Sequence, residues 1–404
     1  MRIASVIVLA GALVATSCAS GGDSPLASTP AASTTAAPAS PTTPSETPSS
    51  PTPSETPSPV PMRWAQVFDA DEDAVVKLTV LTCEEGQITG SGFLVEPDVV
   101  VTAAHVVAGA GAISVQTPGD DVVTAVVLGT DPSTDTALVR LETPVDVTPL
   151  ELAEEVPSRG SELAVLGYPL GAYTVRIARG VVAGLPIAVD YGDQQVARAF
   201  TTDAATNAGN SGGPVVDERG MVIGLLSGGR EWADAEHTRP VEGTNYVIPI
   251  PDIRAGVEQW SGFEGTDNAG CGKDPDPEAP DLEPSHPAHE PVAATIANML
   301  NAHGEAINSG DYESAFAMFT PRAQESLGGL RAWGDALDQS YWTEVEVLEA
   351  AETDVGATAR VALQTEDLTD NGERCTVFVL NYTFVLSDSG LLIDKAKAAS
   401  RSNC

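Results

Sequence analysis

Positive charge is scarce in this chain: 20 Lys and Arg stand against 57 Asp and Glu, a formal net charge of −37. Such a surface repels phosphate backbones, which argues against sequence-independent nucleic-acid binding. The excess acid serves solubility, and Asp71, Glu72 and Asp73 lack the spacing of a calcium loop. No cluster with metal-ligand spacing is visible either, so neither metal nor cofactor is expected. Long apolar runs are also missing from the N-terminus: the stretch from Ile3 to Val14 is about 12 residues, against about 20 for a spanning helix.

That short run, preceded by Arg2 and followed by Ala15-Thr16-Ser17-Cys18, is read as a signal peptide over residues 1–17. The small residues before Cys18 resemble the bacterial lipobox, in which the cysteine receives a diacylglyceryl thioether. On that reading the mature chain is lipid-anchored outside the cytoplasm. If cleavage instead follows an A-x-A-like site, Cys18 is incidental and the protein is secreted. Residues 18–61 are almost entirely Ser, Thr, Pro, Ala and Gly, a composition that cannot bury enough apolar area to order itself. They form a tether.

Export makes disulfides the expected fate of Cys83, Cys271, Cys375 and Cys404. Three pairings are possible, and Cys83 with Cys271 plus Cys375 with Cys404 is favoured because each pair then stays within its own segment of the chain; buried free thiols are the alternative.

From residue 62 to 263 the pattern is one of short apolar runs punctuated by turns, such as Val75 to Leu81, Val99 to Thr102, Val122 to Leu128 and Leu163 to Leu166. Many short strands with little helical periodicity predict an all-β barrel or sandwich. Three motifs sit on it. Val99-Val100-Val101-Thr102-Ala103-Ala104-His105 puts an imidazole just past a strand end, where it is held yet reachable as a general base. Asp135 immediately precedes the apolar run from Ala137 to Leu141 and is placed to orient that imidazole; Asp131, before a proline, reads as a turn residue. The string Asn207-Ala208-Gly209-Asn210-Ser211-Gly212-Gly213-Pro214 offers a hydroxyl nucleophile at Ser211. Its glycines let the Gly209 and Ser211 amides point at one spot, forming an oxyanion hole. The chain order His, Asp, Ser excludes the α/β-hydrolase and subtilisin arrangements, and Ser211 lies in no G-x-S-x-G elbow.

With these motifs, together with Val165-Leu166-Gly167-Tyr168-Pro169-Leu170-Gly171, Ala178-Arg179-Gly180-Val181-Val182 and Asn245-Tyr246-Val247-Ile248-Pro249-Ile250, the segment resembles the trypsin-like serine peptidases, HtrA branch. The resemblance implies two six-stranded β-barrels with a His105, Asp135, Ser211 triad in the cleft between them, and polypeptide substrates. It also implies a substrate pocket beside Ala205, Thr206, Leu226, Ser227 and Gly228, with a preference for small or medium apolar side chains because Ala205 replaces a specificity-setting acid. Asn210, where digestive members carry Asp, speaks against activation by cleavage.

Residues 264–290 are acidic and Pro-rich and are expected to be an irregular connector. Over 291–404, helical spacing from Pro291 to about Asn308 and a cap at Asp311 precede strand-like runs after Trp342. Together they predict a small α+β domain. It resembles the NTF2-like or SnoaL-like fold through Ala306-Ile307-Asn308-Ser309-Gly310-Asp311-Tyr312; its binding partner is left open. No PDZ-like Gly-Leu-Gly-Phe loop is recognisable. His237, His286, His289 and His303 are expected to be solvated.

Overall fold

The computed structural model describes residues 63–82, 86–119, 121–191, 194–229, 243–265, 282–287, 290–337, 340–369, 372–387 and 389–404. The proposed signal peptide and tether, with Cys18, Cys83, Cys271, His237 and His289, lie outside them.

After helix α1 (Arg63–Asp71), six strands close into a barrel: β1 (Val75–Thr82), β2 (Gly86–Glu96), β3 (Val99–Thr102), β4 (Ala110–Gln116), β5 (Val122–Asp131) and β6 (Thr136–Leu141), in the order β1-β2-β3-β6-β5-β4. A second closed barrel follows, made of β7 (Glu162–Gly167), β8 (Arg176–Tyr191), β9 (Gln194–Thr202), β10 (Pro214–Val216), β11 (Val222–Gly229) and β12 (Asn245–Pro249), in the order β10-β11-β12-β9-β8-β7. All pairings within the barrels are antiparallel, so short turns suffice as connections. Closure leaves no open sheet edge. Helix α2 (Ile250–Trp260) then returns to the first barrel, where a Cβ at Gly129 would stand 2.4 Å from the Trp260 ring; only glycine fits beneath that indole.

The first barrel departs from the usual in-out alternation of a half-buried strand: every residue of β1 is buried. Val76, Leu78 and Val80 point into the barrel core, and the alternate residues Lys77, Thr79 and Leu81 lie under helix α3 (Pro291–Asn308). The strand register aligns Lys77 with Gln116, Thr79 with Ser114 and Ser114 with Thr124, a polar strip on the barrel's outer face. Helix α3 meets it with Thr295, Asn298 and Asn301, three residues apart and so on one helix face. Thr295 Oγ1 donates to Gln116 Oε1 at 3.1 Å, Asn298 Nδ2 to Thr79 Oγ1 at 3.0 Å, and Asn301 Nδ2 to Ser114 Oγ and Thr124 Oγ1 at 3.1 and 3.2 Å.

The opposite side of α3 packs on a five-stranded sheet of β13 (Glu283–Ser285), β14 (Ser340–Thr353), β15 (Gly356–Thr369), β16 (Gly372–Ser387) and β17 (Gly390–Asn403), in that order. Helices α4 (Tyr312–Ala317), α5 (Pro321–Ser326) and α6 (Leu330–Gly334) complete the layer; Asp311 caps α4 by accepting from the Ser314 amide at 3.1 Å. A disulfide joins Cys375 on β16 to Cys404 after β17. Two expectations need correction here. Leu282 is buried and residues 283–285 pair in parallel with β14, inside the stretch expected to be irregular; an edge strand tolerates Pro284 because its nitrogen owes no hydrogen bond. His303 is not solvated but buried among Phe319, Trp333 and Trp342, with ring centroids 5.3 to 5.9 Å away, and burial pulls its imidazole down to about 3. Its helical face points inward, and a polar residue type concealed this.

Lys77 is buried where barrel, α3 and the loop after β7 meet. Its Nζ donates to Ala172 O at 3.2 Å and to Thr295 Oγ1 at 3.5 Å, and lies 5.9 Å from the ring centroids of Tyr168 and Tyr173. Desolvation pulls the ammonium from 10.5 to about 7. Between those values the unfolded chain holds a proton that the folded chain has released, so folding stability rises with pH across that window; below about 7 the penalty is fully present. Lys77→Met is therefore expected to raise stability near pH 6 by a few kcal/mol, since each tenfold loss of proton affinity on folding costs about 1.4 kcal/mol, with the gain shrinking toward pH 10. Denaturant titrations of both proteins across pH check this, and a pH-independent difference contradicts it.

Candidate active site

The carboxylate of Asp135 organises the cleft. Residues 131–135 form a turn ahead of β6, in which the Asp131 side chain accepts from the Ser133 amide and hydroxyl at 2.8 and 2.6 Å and shapes the turn. Asp135 ends the turn in left-handed backbone, φ 49°, with its side chain buried. Few residue types accept that conformation and Asp is among them. Three donors converge on it. The His105 amide reaches Oδ1 at 3.0 Å, His105 Nδ1 lies 3.0 Å from both carboxylate oxygens, and the Ser227 hydroxyl donates to Oδ2. With Nδ1 facing a carboxylate, the neutral ring carries its proton there and presents Nε2 as acceptor. His105 follows β3 within a single 3-10 turn and is 31% exposed, so the ring is anchored on one edge and open on the other.

Ser211 is delivered by the second barrel. The Asn210 amide donates to Asn207 O, Gly213 N to Asn210 O, and Gly212 N to Leu226 O, folding residues 207–213 into a tight double turn against β11. Among the described residues, the Gly209 and Ser211 amides, by contrast, donate to no protein group, which leaves both N–H groups available to a ligand oxygen. Gly209 has φ 91° and a Cβ there would stand 2.4 Å from Tyr168 O; Gly212 has φ 85° and a Cβ there would stand 2.1 Å from Ser91 O and 2.3 Å from Thr102 Oγ1. The residue next to the nucleophile thus packs against the end of β3, three residues before His105. Gly90 closes the junction: a Cβ on it would meet Val106 at 2.6 Å and Ser211 O at 3.3 Å. No hydrogen bond joins the His105 ring to Ser211 among the described residues; catalytic bonds of this type often tighten only with substrate in place.

Two residues that sequence reasoning did not single out for these roles hold the loop. Ser91, buried on β2, donates its amide to Ser211 O at 2.8 Å and its hydroxyl to Gly209 O at 2.6 Å, and accepts from the Tyr168 amide at 2.9 Å. Its place before Gly92 and Phe93 was the available signal. Ser227, expected to line the pocket, instead bonds Asp135. The side chain of Leu226 belongs to the second barrel's core and Gly228 pairs with Tyr246, so residues 226–228 offer mainly backbone to a substrate. Ala205 is exposed beside Ala204, whose carbonyl is fixed by Asn245 Nδ2 at 2.7 Å, and Thr206 is half-buried. No group of three or more His, Cys, Asp or Glu gathers at metal-binding distance among the described residues.

A buried acid orienting a His, a Ser on a glycine turn and two available amides form an acyl-transfer constellation. Residues 90–225 match the family described as trypsin-like peptidase domain. The serine protease Rv3671c of Mycobacterium tuberculosis is 37% identical over 171 residues, 40% of this chain and 42% of that protein. The mitochondrial serine protease HTRA2 of Bos taurus is 33% identical over 187 residues, 44% of this chain and 38% of that protein. The chain therefore spans about two fifths of the length of the relatives it matches. A crystal structure of Rv3671c protease in its active form aligns over 55% of this chain and 97% of its own, with 29% identity and a TM-score of 0.45. On the family match and the relatives' sequences, the double-barrel region of this chain is similar to trypsin-like peptidase domains and to serine proteases of the HtrA kind.

Proposed function

We propose that the whole chain is an extracytoplasmic serine endopeptidase, held on a membrane by a lipid on Cys18, that acts on envelope proteins in quality control or processing. The observation that carries the enzymatic part is the Asp135 carboxylate bonded at once to His105 and Ser227, beside a Ser211 turn whose amides are available. Ser211 Oγ attacks the peptide carbonyl while His105 Nε2 takes its proton; Asp135 steadies the resulting imidazolium, and the Gly209 and Ser211 amides hold the oxyanion. His105 then protonates the leaving amine, and water, deprotonated by the same ring, releases the acyl group.

A second reading, a catalytically latent protease fold used for binding or sensing, is favoured by the missing bond between His105 and Ser211. A fluorophosphonate probe separates the two. The endopeptidase reading expects labelling of the wild type that disappears in Ser211→Ala; an unlabelled wild type supports latency. Asp135→Asn is expected to lower kcat about 10⁴-fold, by leaving the ring in the wrong tautomer; a loss under tenfold would remove Asp135 from this role.

The anchor rests on the sequence of residues 1–18, and the tether of residues 18–61 allows the folded part to stand off the bilayer. Metabolic labelling with a fatty-acid analogue is expected to mark the wild type and to vanish in Cys18→Ser. Label that persists in that variant would show the lipid lies elsewhere.

A further inference from the structure

The border of the Ser211 turn is built jointly by the second barrel and the C-terminal sheet. Leu170 donates its amide to Ala208 O at 2.7 Å, immediately beside Gly209. It sits in left-handed backbone, φ 53°, a strained conformation for a leucine, and yet its side chain is 51% exposed. No core packing explains a strained leucine held in water.

The C-terminal sheet extends this apolar surface. A Cβ at Gly171 would stand 2.7 Å from Leu386 Cδ1, so the end of β16 lies against the same loop. The Leu386 amide donates to Val355 O at 2.9 Å, which sets the tip of the β14–β15 hairpin beside it. Leu386 is 41% and Val355 64% exposed. Polar bonds fix both tips in place. Tyr173 OH donates to Gly356 O at 3.4 Å, and Gln87 Nε2 and Thr89 Oγ1 donate to Ser389 O at 3.1 and 2.7 Å. Gln87 and Thr89 precede Ser91 on β2, the residue bonded to Ser211 O. Exposed apolar side chains gathered on a loop and on polar-anchored hairpin tips beside a proposed reaction centre mark a recognition surface more than scattered exposed residues do.

We infer that Leu170, Leu386 and Val355 form an apolar subsite for the polypeptide segment following the scissile bond, which makes the C-terminal unit part of substrate selection. The inference rests on the endopeptidase reading above. Gly212 and Gly213 pair with Leu226 of β11, whereas the Ser211 carbonyl meets Ser91 of β2, so β11 and β2 flank the nucleophile. With the acyl-side residue at Ala205 and residues 226–228, the leaving chain passes Gly209 and runs onto the loop of Leu170.

The test uses the full chain and fluorogenic peptides that share an acyl side and carry Leu, Phe or Ser at the second and third positions after the bond. The wild type is expected to favour the apolar peptides by about tenfold or more in kcat/KM, the discrimination one apolar contact provides. Leu386→Ser/Val355→Ser is expected to reduce that preference below about threefold. Leu170→Asn, which keeps a residue tolerant of positive φ, should reduce it independently, so a folding defect in the double variant does not decide the matter. Phe263→Ser, another exposed apolar residue, is the control and keeps the wild-type preference. Equal preference in wild type and both subsite variants overturns the subsite alone. Preference retained by a double variant that sediments as monomer where the wild type is a dimer assigns the patch to a second copy of the chain instead. A wild type that fluorophosphonate fails to label removes the endopeptidase reading, and the subsite with it.

Discussion

The bond between Asp135 and His105 is the constraint from which the rest of the site follows. A carboxylate buried between two barrels is tolerable only when its lone pairs are filled. Here the ring and amide of His105 come from the first barrel and the Ser227 hydroxyl from the second. The same carboxylate therefore fixes the imidazole's orientation and stitches the barrels together. Ser91 does the corresponding work for the nucleophile turn, reaching from the first barrel to the carbonyls of Gly209 and Ser211 on the second. Catalytic geometry and barrel docking are one structural problem in this fold, and glycines solve it where backbones come too close for any side chain.

The C-terminal unit is more than an appendage on a connector. Helix α3 is buried on both faces, serving as the outer wall of the first barrel and as the inner layer of the sheet. The barrel face it covers is a strip of Lys, Thr, Ser and Gln met by Thr and Asn, so its bonds demand a definite register in a way that apolar packing does not. Lys77 at the end of this strip touches the loop that also borders the Ser211 turn. Through that loop the sheet's hairpin tips come to lie beside the proposed reaction centre.

Much of this was legible in the sequence, for identifiable reasons. Strand periodicity and turn residues announced the barrels; His105 and Asp135 stood out because each adjoins a distinct apolar run, and Ser211 because glycines surround it. What escaped depends on tertiary partners. The hydroxyls of Ser91 and Ser227 acquire their roles only when the barrels meet; the Gly92-Phe93 that follows Ser91 was a faint signal, and nothing local marks Ser227. His303 was expected to be solvated, and the pattern of one segment could not reveal that helix α3 would be covered on two sides. Strand β13 was hidden by Pro284, acceptable only because that strand lies at a sheet edge.

The central claim is that His105, Asp135, Ser211 and the two amides act as one constellation, and a complex with a peptide boronate tests it most directly. The account predicts a crystal structure with boron bonded to Ser211 Oγ. One boronate oxygen should lie about 3 Å from the Gly209 and Ser211 amides, with the His105 ring turned toward the adduct and still bonded to Asp135. A boronate absent from Ser211, or an adduct whose oxygens face away from those amides while His105 stays apart, would contradict it.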